Sequence, residues 1–143
     1  MQVSELMADA IEFIPPDATA QEAAELMGEL DVGALPVGAP EDLQGVVTDR
    51  DLLFRIVAAG RDPAKTRVRE IMSSTVFTCR DTDTLETAMD MMAAYHVRRL
   101  PVRNEAGHVI GWVTLSDLAR RLLLETDAIR DALGELTASA AAA

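Results

Sequence analysis

Leu35-Pro36-Val37, a turn, and then Gly45-Val46-Val47-Thr48-Asp49-Arg50-Asp51-Leu52 is a stretch that the chain writes twice. It returns as Leu100-Pro101-Val102, a turn, and Gly111-Trp112-Val113-Thr114-Leu115-Ser116-Asp117-Leu118. The first part repeats at an offset of 65 residues and the second at 66, so one residue has been inserted in the turn between them. Working outward, the offset of 65 places Val3-Ser4-Glu5-Leu6-Met7 on Val68-Arg69-Glu70-Ile71-Met72, Thr19 on Thr84, Ala23 on Ala88, Met27 on Met92 and Val32 on Val97. A register kept this far with a single step marks an internal duplication. The expected units are residues 1–62 and 63–125, followed by 126–143 as a C-terminal helix and a disordered Ala-rich tail.

Each copy reads as β-α-β-β-α behind a short leading helix. Ile11–Ile14 and Val76–Cys79 are short β-prone runs. A helix follows from Thr19 and from Thr84, the first opened by the capping box Thr19-Ala20-Gln21-Glu22. Ala20, Ala23, Ala24, Met27 and Leu30 form an apolar stripe at helical spacing, matched by Leu85, Ala88, Met89 and Met92, so the methionines read as core filler. Two strands joined by Gly, Pro, Asn and Asp turn chemistry come next. A last helix carries Leu52, Leu53, Ile56 and Val57 up to Gly60, with Leu118, Leu122 and Leu123 in its counterpart. The fold class is α/β (α+β). Each copy forms a small three-stranded sheet with helices on one face, and the two bare faces pack sheet to sheet with pseudo-twofold symmetry.

The 143 residues carry 13 Lys and Arg against 24 Asp and Glu, for a formal charge of −11. Eleven of the acids precede Arg50, the first basic side chain, so the whole imbalance lies in the first copy. Such a balance offers no footprint for nucleic acid and repels anionic lipid. No apolar run approaches a membrane span, and no signal peptide is visible. One cysteine, Cys79, permits no internal disulfide and suits a cytoplasmic location. Cys79 reads as a buried thiol, His96 and His108 as isolated, and Trp112 as a core residue or a ligand contact. No nucleophile–base pair, phosphate-binding glycine loop or metal-ligand spacing is present, so no enzyme, catalytic residue or metal site is expected.

The unit Leu-Pro-Val, turn, Gly-hydrophobic-Val-Thr-x-x-Asp resembles the cystathionine β-synthase (CBS) domain, and two in tandem resemble the CBS pair, or Bateman module, here covering residues 1–125 as a stand-alone CBS-pair protein. Read by itself, Thr-x-x-Asp is a helix-capping pair. A Thr hydroxyl beside free amides also suits phosphate, and a carboxylate one turn on suits a ribose diol, so capping and ligation can coexist. The resemblance assigns phosphate and ribose contacts to Thr48 and Asp51 and to Thr114 and Asp117. It further implies an adenine clamp from Ile11, Gly33, Ala34 and Pro36 in the first copy, and from Phe77, Thr78, Val97 and Pro101 in the second. Arg98 and Arg99 precede the second Leu-Pro, where the family often places a basic residue for phosphate. The first copy has Gly33 and Ala34 there, and only Arg50 and Arg55 near its helix start. The expected function is a regulatory, signal-sensing module with an adenosine nucleotide (AMP, ADP or ATP) as ligand and no required cofactor. The expected assembly is a homodimer acting on an unidentified protein partner. The second-copy site is expected to be the better phosphate binder, with the first weak, empty or specific for S-adenosylmethionine. Alternatively, the acids form a solvated helix face that pairs with Arg98 and Arg99. The remaining alternative is a ligand-free interaction module.

Overall fold

The computed structural model describes residues 1–124, 131–132 and 134–136. The Ala-rich end, 137–143, lies outside the described residues; 131–132 and 134–136 are helical.

In the first half, Thr19 opens helix α1 (Ala20–Leu30) as anticipated. Its hydroxyl accepts from the Glu22 amide at 3.1 Å, and the Glu22 carboxylate accepts from the Thr19 amide at 3.3 Å. Ala20, Ala23 and Met27 are buried, whereas Ala24 and Leu30 of the anticipated stripe face solvent. Strands β1 (Ala34–Ala39) and β2 (Asp42–Thr48) form an antiparallel hairpin. Helix α2 (Asp49–Leu52) then runs directly into a π-helical turn, Leu53–Val57. That turn breaks the 3.6-residue period, leaving Ile56 buried and turning Leu53 and Val57 outward. The second half repeats the order with β3 (Cys79–Arg80), α3 (Leu85–Tyr95), β4 (Arg99–Arg103), β5 (Val109–Thr114) and α4 (Leu115–Leu124). β3 pairs parallel to β4, which pairs antiparallel to β5.

Two details depart from the pattern in the sequence. The first half has a two-stranded sheet; its expected leading strand, Ile11–Ile14, is reduced to one parallel bridge between Ile14 and Val37. Pro15 and Pro16 follow immediately and supply no amide donors with which to extend the pairing. In the second half the strand begins only at Cys79, and Val76 and Phe77 leave the sheet. Each leading helix is a single 3-10 turn, at Val3–Glu5 and Val68–Glu70.

The leading turns are exchanged between the halves. Val3, Leu6 and Met7 pack into the core of the second half with Leu85, Ala88, Leu100, Val102 and Val113. Val68, Ile71 and Met72 pack into the core of the first half with Ala20, Ala23, Leu35, Val37 and Val47. Backbone bonds fix both docks: Val3 N–H to Asp83 O at 2.8 Å, and Val68 N–H to Ala18 O at 2.8 Å. Ala8 then bridges Trp112 of β5, and Ser73 bridges Val46 of β2. These contacts are related by the repeat offset, which gives the molecule its pseudo-twofold axis.

Gly45 and Gly111 are what this close approach requires. A Cβ on Gly45 would lie 2.7 Å from Ser73 O and 2.8 Å from Met72 Sδ. A Cβ on Gly111 would lie 2.4 Å from Ala8 O. A glycine inside a strand is otherwise unfavourable, so its presence at both equivalent positions reports a backbone neighbour.

Cys79 is buried at 3% exposure. Burial, then the nearby Asp83 charge, pushes its thiol up to about 11. A thiol so shifted carries little thiolate at neutral pH and is a poor nucleophile.

Two outcomes follow. Gly45→Ala and Gly111→Ala should each destabilise the fold by about 2 kcal/mol or more through backbone displacement, whereas Gly28→Ala should stabilise it by up to ~1 kcal/mol, because nothing lies within 4 Å of a Cβ there. Urea midpoints of the three variants check the order. Cys79 should resist a thiol-reactive disulfide reagent at pH 8 in the folded protein and react fully in denaturant; rapid native labelling would contradict its place in the core.

Candidate functional site

Side chains alternate across each strand. Leu35, Val37 and Val47 point to the helices of the first half, and Leu100, Val102 and Val113 to those of the second. The opposite faces therefore carry Ala34, Pro36, Val46 and Thr48 in the first half and Arg99, Pro101, Trp112 and Thr114 in the second. Val46 and Thr48 meet Arg99 and Pro101 across a cleft of about 980 Å³ between the halves.

The first half lines this cleft with Val46, Thr48, Asp49, Arg50, Leu53 and Phe54. The second half contributes Ser73, Thr75, Val76 and Phe77 from one segment and His96, Val97, Arg98, Arg99 and Pro101 from another. Thr48 is held by a reciprocal cap: its hydroxyl accepts from the Asp51 amide at 3.1 Å, and the Asp51 carboxylate accepts from the Thr48 amide at 2.9 Å. The other Asp51 oxygen faces Arg55 at 3.8 Å, and Arg55 donates to Ile71 O at 2.9 Å. Asp51 is thus committed to positioning Thr48 and does not line the cleft. Asp117 likewise donates its amide to the Thr114 hydroxyl at 3.2 Å and faces Arg120 at 3.8 Å.

Phe77 stacks on Tyr95, with ring centroids 3.9 Å apart and planes within 3°. One ring face is covered by Tyr95, while Phe77 itself lines the cleft. Arg99 lies 5.8 Å over Trp112, and Arg50 lies 5.2 Å over Phe54. Among the described residues neither Arg98 nor Arg99 pairs with a carboxylate, so the acids of the first half do not claim them. Three guanidinium groups and one carboxylate, Asp49, line the cleft, making it positive in a chain of charge −11.

The cleft does not sort the anticipated residues by copy. It joins Thr48 and Arg50 of the first half to Phe77, Val97, Arg98, Arg99 and Pro101 of the second. Ile11, Gly33, Ala34, Pro36, Asp51, Thr114 and Asp117 do not line it. Thr78 faces a separate concavity with Cys79 and Arg103, where its hydroxyl accepts from Arg103 Nε at 3.3 Å. Trp112 belongs to neither core cluster; it is half-buried beside Ala8 and Arg99. Sequence reasoning missed Leu53, whose helical spacing read as core, and Phe54, which the apolar pattern did not single out, because a π turn leaves no periodic signature. It also missed Ser73, Thr75 and Val76, which reach the cleft only because the preceding turn is exchanged, and His96, whose left-handed backbone (φ 56°) ends α3 at the cleft rim.

The pseudo-twofold axis maps Arg98 and Arg99 onto Gly33 and Ala34, Arg50 onto Ser116, Phe77 onto Glu12 and Val46 onto Trp112. The symmetry-related positions thus lose three arginines and the acid Asp49, gain the acids Glu12 and Asp31, and carry Arg120 in place of Phe54 and an indole in place of Val46. Among the described residues no group of three His, Cys, Asp or Glu side chains is placed to hold a metal ion. No described helix is long and apolar enough to cross a membrane.

The family model described as "CBS domain" matches residues 3–58 and 68–124. The chain is 39% identical over 117 residues to the CBS domain-containing protein YhcV of Bacillus subtilis, covering 82% of each chain. It is 32% identical over 119 residues to hypoxic response protein 1 of Mycobacterium tuberculosis, again covering 82% of each. Among solved structures, a protein with CBS domains from Burkholderia ambifaria superposes with a TM-score of 0.80 at 26% identity, covering 89% of this chain and 97% of that one. The duplicated motif, the interlocked halves and these matches together show that the chain belongs to the CBS-domain family and carries two copies of the domain.

Proposed function

We propose that the protein is a regulatory, non-enzymatic module that binds one adenosine nucleotide in the cleft between its halves and relays occupancy to a partner protein. The observation that carries this reading is the meeting of a Thr48 hydroxyl, an apolar wall of Phe77, Val76 and Val97, and the carboxylate-free Arg98 and Arg99 in one cleft. Phe77, backed by Tyr95, offers a flat face to the base. Arg98 and Arg99 offset the phosphate charge that the acidic chain would otherwise repel. Asp51 acts through Thr48 by holding its orientation. Occupancy can be relayed because the ligand touches both halves and so favours one relative arrangement of them over another.

The symmetry-related surface, with Thr114 and Asp117 on one side and Ile11, Gly33, Ala34 and Pro36 on the other, lacks these cations. It suits an adenosyl ligand without phosphate, such as S-adenosylmethionine, and this second reading rests on Glu12 standing where the cleft has Phe77. Exposed Val57 and Leu115 support a second copy of the chain as one partner; a monomer in sedimentation at micromolar concentration would remove that part.

Thermal unfolding with AMP, ADP, ATP and S-adenosylmethionine, each at ~1 mM, tests the reading. A ligand at 100 times its Kd stabilises the fold by about 2.7 kcal/mol, a rise of several degrees. Arg98→Ala/Arg99→Ala and Thr48→Ala should abolish most of the nucleotide shift, and Thr114→Ala should leave it in place. A flat response to every ligand would leave a ligand-free interaction module. Nucleotide binding lost only in Thr114→Ala would move the site to the symmetry-related surface.

A further inference from the structure

Resting on the nucleotide reading above, we infer that the cleft selects a nucleoside di- or triphosphate over a monophosphate, and that Arg50 is the residue that makes the distinction. Six of the eleven described arginines of this acidic chain are already engaged. Arg55, Arg61, Arg69 and Arg120 face carboxylates, and Arg67 and Arg103 donate to backbone carbonyls. Arg50, Arg80, Arg98, Arg99 and Arg121 make neither kind of contact among the described residues, and three of these five, Arg50, Arg98 and Arg99, line one cleft. With acids outnumbering bases nearly two to one, three cations without carboxylates at one place are an unfilled demand for negative charge.

The three come from opposite walls. Arg98 and Arg99 are adjacent on the second half, beside Val97 and near Phe77, where the base and first phosphate are placed. Arg50 stands across from them on the first half. One phosphate group at Arg98 and Arg99 leaves Arg50 unused; a chain of two or three phosphates extends toward it and carries the additional charge it matches.

Arg50 is also held so that it can be recruited without breaking an ion pair. Its guanidinium rests 5.2 Å over the Phe54 ring, and Phe54 is 54% exposed with no place in either core. An aromatic face keeps a cation at the rim without neutralising it. Asp49, the one acid in the lining, is turned to its own neighbour: its Oδ1 accepts from the Arg50 amide at 2.8 Å. The twofold-related pair has the opposite character. Ser116 replaces Arg50, and Arg120, in place of Phe54, faces Asp117 at 3.8 Å. The device is therefore a property of one cleft, not of the repeat.

Calorimetric titration of AMP, ADP and ATP at fixed ionic strength without divalent cations tests this. ADP and ATP should bind about tenfold or more tightly than AMP. Arg50→Ala should bring ATP down to the AMP level while changing AMP by about twofold or less, and Phe54→Leu should retain part of the preference. Equal unfolding temperatures without ligand establish that the exposed substitutions leave the fold intact. AMP binding as tightly as ATP, or an equal loss of all three in Arg50→Ala, overturns the inference and leaves the nucleotide reading standing. Inorganic tripolyphosphate separates the two in the other direction. If it binds in an Arg50-dependent way and adenosine adds no affinity, polyphosphate selection stands and the nucleotide reading falls. If neither ATP nor tripolyphosphate binds, both fall.

Discussion

The reciprocal docking of the two leading turns is the constraint on which the rest of this molecule depends. Val3 completes a core made mostly by residues beyond Cys79, and Val68 and Ile71 complete one made mostly by residues before Ile56. Fully burying a valine or isoleucine contributes roughly 1.5–3 kcal/mol, so the exchanged side chains are a large share of a net stability of about 5–15 kcal/mol. Gly45 and Gly111 admit the backbone that follows each turn. Once Ser73 lies against Val46, the next residues, Thr75 to Phe77, have only the space between the halves to enter. The cleft wall is therefore a consequence of how the two cores are closed.

Symmetry in the backbone carries no obligation of symmetry in charge. The same exchange that brings Phe77 to one cleft brings Glu12 to its mate, and the same hairpin start that presents Arg98 and Arg99 presents Gly33 and Ala34 in the other half. The excess of acid before Arg50 thus does not weaken the positive cleft. Its cations are Arg98 and Arg99 of the second half and the first base of the first half, and the nearest first-half acids, Asp49 and Asp51, are tied to backbone amides. Duplication supplied two equivalent frames, and side-chain differences at most of the cleft-lining positions made them different surfaces.

Much of the architecture is legible in the amino-acid sequence. The offset of the Leu-Pro-Val and Val-Thr motifs determines two copies, and the caps at Thr19 and Thr48 sit where their spacing puts them. Local patterns carry local structure. The exchange was not legible, because Val3-Ser4-Glu5-Leu6-Met7 and its repeat look alike whichever core they join; only the energy of the assembled halves distinguishes them. The paired strand glycines were the available signal, and their meaning depends on a neighbour distant in sequence. The site was half legible for the same reason. Thr48, Phe77, Arg98 and Arg99 could be picked out by residue type, but grouping them by copy placed Arg98 and Arg99 with Thr114 and Asp117, whereas the cleft sets them with Thr48. Leu53 and Phe54 were hidden by a π turn that periodicity does not encode.

The interlocked turns also bear on how the chain is made. A ribosome releases the first half before the second, yet the first core is incomplete until Val68 and Ile71 have emerged, and Val3 has no core to enter until the strands beyond Leu100 exist. Neither half is a finished folding unit during synthesis. The amide bond from Val3 to Asp83 closes across most of the molecule, a pairing of high sequence separation that is slow to form because the loop entropy must be met first. Until it closes, the apolar face of the first turn is exposed in the nascent chain. The duplication that makes the cleft thus also makes folding a late, cooperative event, in which the chain's first residues are among the last to find their place.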